Sequence, residues 1–450
     1  MGAFWRAFGF SNYGGVFSFV DIDLSMKKIL STIIFIFFII TQAGAEDFLT
    51  WGDCLKEAAK NNPTLISAQE NIKQYEAAKR VTASTLYPQL SGDVTASTAK
   101  NSSSSGGVTT SSTGDSYGYG LSGTQLIFDG LETLNNVNAA KQNIAASTGG
   151  YQFTSSQVRM DLRTAFAGLL KAQEMISVTE DIVKIRRDDF QLITLRYESG
   201  LEHKGALLTA EADLAQANLQ VSEAKRNLEL TQRQLTKALG RKIFSPLYVK
   251  GSFEISDSVK EKPDFETIAD KNPSLKQLIA KKNSALFSIR SAYGSFFPEL
   301  TAQAGADKSD TKWTPDGSNW NLGLTLSLPI LEGGLRMAQV SQAKAVYNQA
   351  VENERAGRDA IIVTLDQTWA IFQDAQEAVD VRHKILVANE ERAKIADAQY
   401  AIGFISFDNW IIIRNDLVNS KLLYLTAQAD ALTSEAKWIQ AKGETLEYAQ

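Results

Sequence analysis

Cysteine occurs once in the 450 residues, at position 54, which excludes an internal disulfide, a CxxC redox pair and a cysteine-based zinc site. Histidine occurs twice, as His203 and His383, too little for histidine-built metal or triad chemistry. Positive charge is not in excess: 46 Lys and Arg against 51 Asp and Glu leave a net charge of −5. No basic field therefore points to nucleic acid. Paired carboxylates, a nucleophile motif and a metal-ligand cluster are all missing, so no catalytic residue, metal or cofactor is expected and the chain does not read as an enzyme. Cys54 reads as a buried helix thiol.

Long apolar runs are confined to the start. Met26, Lys27 and Lys28 precede the apolar residues 29–40, which are too short to span a bilayer as an ordinary helix. Ala43-Gly44-Ala45 follows as a small-x-small cleavage pattern. Residues 1–45 thus read as leader and Sec-type signal peptide, with Met26 the expected start and cleavage after Ala45. Residues 1–25 are an over-extended start or a genuine leader. Cleavage removes Arg6, Lys27, Lys28, Asp21 and Asp23, leaving 43 basic and 49 acidic residues, a charge of −6.

What the chain does contain, it contains twice. Ala59, Asn62-Pro63 and Leu65 recur 210 residues later as Ala269, Asn272-Pro273 and Leu275, and Tyr87-Pro88 recurs as Phe297-Pro298. Further along the offset is 203: Gly120-Leu121 with Gly323-Leu324, Phe128-Asp129-Gly130 with Leu331-Glu332-Gly333, Tyr197-x-x-Gly200 with Tyr400-x-x-Gly403, and Gly240 with Gly443. The change of seven falls on residues 101–116, a Ser/Thr-rich stretch read as a loop tip between paired strands. The organisation expected is a first repeat at 46–240 with a hairpin at 88–128, a linker at 241–263 and a second repeat at 264–450 with a hairpin at 299–328. Each repeat reads helix, strand, strand, long helix, helix, the first helix running unbroken over 51–86 or 264–294.

The long helices carry a seven-residue rhythm: Leu162, Leu169, Ile176, Val183, Phe190 and Tyr197, then Leu365, Phe372, Val379, Leu386, Ala393 and Tyr400. A companion series, Val158, Ala165, Ala172, Thr179, Arg186 and Ile193, is smaller and partly polar. Such a seam implies coiled-coil packing. A helix of this length reaches about 100 Å at 1.5 Å per residue, so it projects and pairs.

The strand in residues 319–328 alternates cleanly. Trp320, Leu322, Leu324, Leu326 and Leu328 lie on one side; Asn321, Gly323, Thr325 and Ser327 lie on the other. The apolar side suits a soluble core or lipid equally well on periodicity alone. Export, and the lack of any segment left over to cover a sheet, favour lipid, and about nine to eleven residues cross a bilayer as a tilted strand. Hydrocarbon does not accept open strand edges, so four strands must close with copies of themselves; three copies give twelve strands. Gly118-x-Gly120-x-x-Gly123 fits the dinucleotide pattern GxGxxG but lies inside an alternating strand with no helix opening on it, so it reads as barrel wall.

The order of these motifs resembles the TolC-like outer-membrane efflux proteins over nearly all of residues 47–446. The motifs are the tandem repeat, Asn-Pro early in each half, Tyr87-Pro88 and Phe297-Pro298 opening strands, residues 127–130 and 329–334 closing them, and Tyr-x-x-Gly at each helix break. The resemblance implies a mixed α and β membrane protein: a long α-helical coiled-coil barrel in the periplasm plus a transmembrane β-barrel, twelve-stranded as a homotrimer in the outer membrane. It implies a passive exit duct for efflux or type I secretion that docks a periplasmic adaptor and an inner-membrane transporter, proton- or ATP-driven. A soluble periplasmic coiled-coil scaffold is the alternative.

By the same resemblance Tyr400 matches a tyrosine at the closed periplasmic entrance. The gate arginine of some members is replaced here by Ile405, and their aspartate ring by Asn409 and Ile412. Asp408, Arg414 and Asp416 are the charged candidates in their place, since threefold symmetry makes a ring of any pore-facing carboxylate. Solvated helix charge, and heptad packing for Tyr400, are the plainer readings. Gly200-Leu201 and Gly403-Phe404 are helix C-caps and, by the resemblance, the tip that an adaptor contacts.

Overall fold

The computed structural model describes residues 47–255 and 261–449. The leader, the start at Met26 and the cleavage after Ala45 lie outside the described residues. Short strand β1 (Asp47–Leu49) leads into α1 (Trp51–Asn61) and α2 (Pro63–Ser84). A hairpin follows, β2 (Gln89–Ser105) and β3 (Val108–Phe128), then α3 (Glu132–Glu198) and α4 (Lys204–Leu239). The linker carries β4 (Leu247–Val249), paired with β1, and the second half then runs α5 (Phe265–Lys271), α6 (Pro273–Gly294), β5 (Glu299–Asp310), β6 (Gly317–Ser327), α7 (Leu335–Ala401) and α8 (Phe407–Lys442), ending in a 3₁₀ turn at Leu446–Ala449. No helix of the described residues is long and apolar enough to cross a membrane.

The first helix of each repeat is broken where it reads as continuous. Pro63 and Pro273 have no N–H to give and push the preceding residue out of helical geometry. Asn62 and Asn272 are accordingly extended, at ψ 119° and 131°, and their side-chain oxygens cap the new helices at Thr64 N and Ser274 N. The same amides donate across the chain, Asn62 to Ala238 O at 2.9 Å and Asn272 to Ala441 O at 3.0 Å. The repeated Asn-Pro is thus a clamp holding each kink against the end of α4 or α8. Gly240 and Gly443 complete it at φ 78° and 81°. A Cβ on Gly240 would sit 2.8 Å from Asn62 Cα, and one on Gly443 would overlap the Pro273 ring. Gly240→Ala is expected to cost at least ~1–2 kcal/mol, the left-handed backbone penalty alone, measured as a lowered thermal midpoint; an unchanged midpoint refutes the clamp.

Two apolar clusters flank these clamps. Leu162, Phe166, Leu169 and Leu235 pack with Cys54 and Leu55 in the first repeat; Phe265, Leu365, Trp369, Phe372 and Trp438 do so in the second. Cys54 is fully buried, and burial raises its thiol to about 12. In α3 the companion series is the better buried: Val158, Ala172, Thr179, Arg186 and Ile193 are all buried, whereas Tyr197 of the main seam is exposed. The reason is that α3 packs on α2, α4, α6 and α8, so it has no single seam.

The four long strands form one antiparallel sheet in the order β2-β3-β5-β6, the two hairpins meeting at β3 and β5. Residues 101–116, read as a loop, are strand instead. Their backbone pairs up to Ser105 opposite Val108, closed by Gly106-Gly107 with both glycines at positive φ. Such a two-residue turn matches strand twist, and hydroxyl side chains tolerate the ladder.

Register brings the apolar sides of all four strands onto one face. Leu90, Gly123, Ala304 and Leu322 form one row across the sheet, and Gly92, Leu121, Ala306 and Trp320 form the next. The opposite face is polar: Asp93, Gly120, Asp307 and Asn319 share a row. Asn319 donates to Asp307 at 3.2 Å, and Ser91 and Ser122 hydroxyls meet at 2.8 Å. Nothing in the described chain covers the apolar face. Trp320 is 79% exposed, and Leu322, Leu324, Leu326 and Leu328 each exceed half.

Candidate gate and tip of the helical hairpins

Far from the sheet, α3 turns into α4 and α7 into α8 through matching caps. Gly200 and Gly403 take positive φ, 72° and 78°. Leu201 N then returns to Arg196 O, and Phe404 N to Gln399 O, both at 2.8 Å. These are Schellman-type closures, which explain the glycines. His203 Nδ1 accepts from Ala206 N, and Ser406 Oγ from Asn409 N, to start the return helices. The caps leave Leu201, Ile402 and Phe404 strongly exposed. Isolated exposed apolar residues are ordinary; here one stands on the first turn and two on the second.

Behind the turns lies a cluster joining all four long helices, with Ile193, Ala206, Tyr400, Phe407 and Trp410 buried together. Tyr400 stacks on Trp410 with ring centroids 4.7 Å apart and planes 12° from parallel. Its hydroxyl donates to Glu202 Oε2 at 2.6 Å, and the Arg196 guanidinium lies 4.5 Å over its ring. Burial, then the Glu202 carboxylate, raise the Tyr400 phenol well above its ordinary value, keeping it a donor. Tyr400 of the second repeat is therefore held by the turn of the first.

One turn of α8 further on, Arg414 is buried. It donates to both Asp189 oxygens, Nη2–Oδ1 2.6 Å and Nε–Oδ2 3.3 Å, and to Asp397 at 3.0 Å. Asp397 also accepts from Trp410 Nε1 at 2.7 Å. Arg186 bonds Asn415 and lies 3.6 Å from both Asp189 and Asp213. Burial raises the Asp189 carboxyl even though Arg414 and Arg186 draw it down. A planar guanidinium bridging carboxylates on α3 and α7 fixes three helices at one level.

The four charged or aromatic candidates thus separate. Tyr400 and Arg414 are buried between the repeats; Asp408 is exposed on the first turn of α8; Asp416 is half-buried and paired with Arg392 at 2.9 Å. Sequence reading missed Asp189, Asp397, Glu202 and Arg196, whose contacts join residues nearly two hundred apart or more in most cases. One signal was present: Arg186 interrupts a small, mostly apolar heptad series, and Asp189 lies one turn on.

With this geometry in hand, comparison with known proteins places the chain. The family model described as outer membrane efflux protein matches residues 54–241 and 266–444. The outer membrane efflux protein BepC of Brucella suis biovar 1 (strain 1330) is 20% identical over 408 residues, 89% of this chain and 86% of that protein. Outer membrane protein TolC of Escherichia coli (strain K12) is 23% identical over 410 residues, 86% of this chain and 81% of that one. Among solved structures, the Campylobacter jejuni CmeC outer membrane channel superposes with a TM-score of 0.75 at 19% identity, covering 88% of each chain. The helix-dominated fold is that of TolC-like channels, which are not enzymes. The chain belongs to the outer membrane efflux protein family.

Proposed function

We propose that three copies of this chain close into a twelve-stranded barrel in the outer membrane with a helical tunnel beneath it. This assembly serves as the exit duct of an efflux pump or a type I secretion system. One observation carries the reading: a four-stranded sheet whose apolar side chains come into register on one uncovered face, with a polar reverse and two open edges, β2 and β6. Lipid is the medium for the first face and pore water for the second, and edges in hydrocarbon need partners. Family membership supports the export role.

In this reading Trp320, Leu322, Leu324, Leu326 and Leu328 meet lipid. Tyr400, Asp408, Arg414 and Asp416 act at the periplasmic constriction, Tyr400 and Arg414 as interlocks between repeats and the two aspartates as charges toward the opening. Gly200, Leu201, Gly403 and Phe404 shape the tip that receives a periplasmic adaptor, which links the duct to an inner-membrane transporter. The exposure of Leu201 and Phe404 supports this, since an apolar anchor at a tip suits a partner.

Export and fractionation test the proposal. The chain is expected in the outer-membrane fraction, extractable only by detergent, running as a trimer unheated and as a monomer after boiling. A monomer soluble in plain periplasmic buffer sinks the duct and leaves a coiled-coil scaffold.

A further inference from the structure

The two repeats do not have equal company. Helix α3 packs on α6 and α8 of the second repeat besides its own α2 and α4. Its counterpart α7 packs chiefly on α5, α6 and α8, all of the second repeat. If the repeats are equivalent, the missing neighbours of α7 are an α2 and an α4 from another copy.

Side chains at equivalent positions support this. Ile182 of α3 is 1% exposed beside Val418 of α8; its counterpart Ile385 on α7, 203 residues on, is 38% exposed, and Val381 nearby is 53% exposed. On the other partner, Ser291 of α6 is buried, while the equivalent Val81 of α2 is 72% exposed. Apolar side chains are uncovered where their counterparts are covered.

The charges are more specific still. Across the internal seam, Asp189 of α3 meets Arg414 of α8 at 2.6 Å. The positions 203 residues away from these are Arg392 on α7 and Glu211 on α4. The pair recurs with its signs exchanged. Glu211 is exposed, and Arg392 reaches its half-exposed neighbour Asp416 at 2.9 Å.

We infer that the face of α7 around Arg392 docks α4 and α2 of a second copy of this chain, with Arg392 pairing Glu211 of that copy. The exchanged signs also set the order of assembly. A first repeat seated on another first repeat would place Asp189 against Glu211, and a second on a second would place Arg392 against Arg414. Both contacts repel; only alternation of first and second repeats gives opposite charges at every seam. A ring of identical chains then closes with one order and no register error.

This inference rests on the trimer proposed above, and the test separates the two. Full-length chain carrying Glu211→Cys and Arg392→Cys together is treated in outer membranes with a short bismaleimide, each single variant serving as control. Most chains are expected in covalent dimer and trimer bands for the double variant and none for the singles; buried Cys54 does not react. An unheated trimer that gives no intermolecular bands overturns the pairing while the trimer stands. Absence of any trimer overturns both. As a check independent of cysteine, Arg392→Glu alone is expected to lower the temperature at which the trimer dissociates, and adding Glu211→Arg to restore it; no restoration counts against the pair.

Discussion

Replacing Arg414 by leucine is expected to destabilise the helical body by about 3–5 kcal/mol, the usual cost of leaving one member of a buried ion pair without its partner. Asp189 is 4% exposed and Arg414 10%, so solvent does little to relieve the orphaned carboxylate. Asp397 is 45% exposed and recovers hydration more readily. The penalty therefore comes chiefly from the α3 side of the clamp. The double variant Asp189→Leu/Arg414→Leu is expected to recover most of the loss, because two apolar side chains in place of a buried pair are often neutral. Urea unfolding in detergent, followed by helical circular dichroism, measures both. Single variants within about 0.5 kcal/mol of the parent, the range of ordinary surface substitutions, would show that the pair fixes nothing. If the cluster also holds a constriction shut, the single-channel conductance of Arg414→Leu in planar bilayers rises above that of the parent.

The second large effect separates two neighbouring residues of β6. Leu324→Arg places a guanidinium on the apolar face, where a barrel at mid-bilayer depth loses about 2–4 kcal/mol per charge. In the proposed trimer that loss applies once in every subunit. Thr325→Arg changes the adjacent residue, which points to the polar reverse, and is expected to assemble at close to the parent level. The amount of heat-modifiable trimer in outer membranes reads the difference: Leu324→Arg falls severalfold and Thr325→Arg does not. Equal tolerance of both would mean that lipid does not meet the leucines. Equal loss would mean that both faces are packed against protein.

Much of this was legible in residue order. The long helices, the two hairpins and the alternation of β6 follow from local periodicities, 3.6 or 3.5 for helices and 2 for strands, which any window of the chain carries within itself. The twofold repeat follows from matching residues at offsets of 210 and 203. Local rules also misled. The Asn-Pro kinks sit inside an otherwise helical pattern, and the Ser/Thr run at 101–116 looks like a loop because composition does not report whether the backbone is paired.

The candidate gate shows where sequence reasoning stops. Tyr400 and Arg414 stood out by position in a motif and by charge, yet what they touch, Glu202 and Asp189, lies about two hundred residues away in the other repeat. Contacts of that kind depend on how two long helices are rotated and staggered against each other, which no single helix encodes. Sequence by itself determined the type of each long element and the two-sided strand chemistry, because these are set by near neighbours along the chain, and the repeat, because residues at a fixed offset can be matched without knowing where they lie in space. Tertiary structure alone decided which faces of four strands coincide, which of the charged residues are buried, and which helices lack neighbours, because each of those is a relation between segments distant in the chain and close in space.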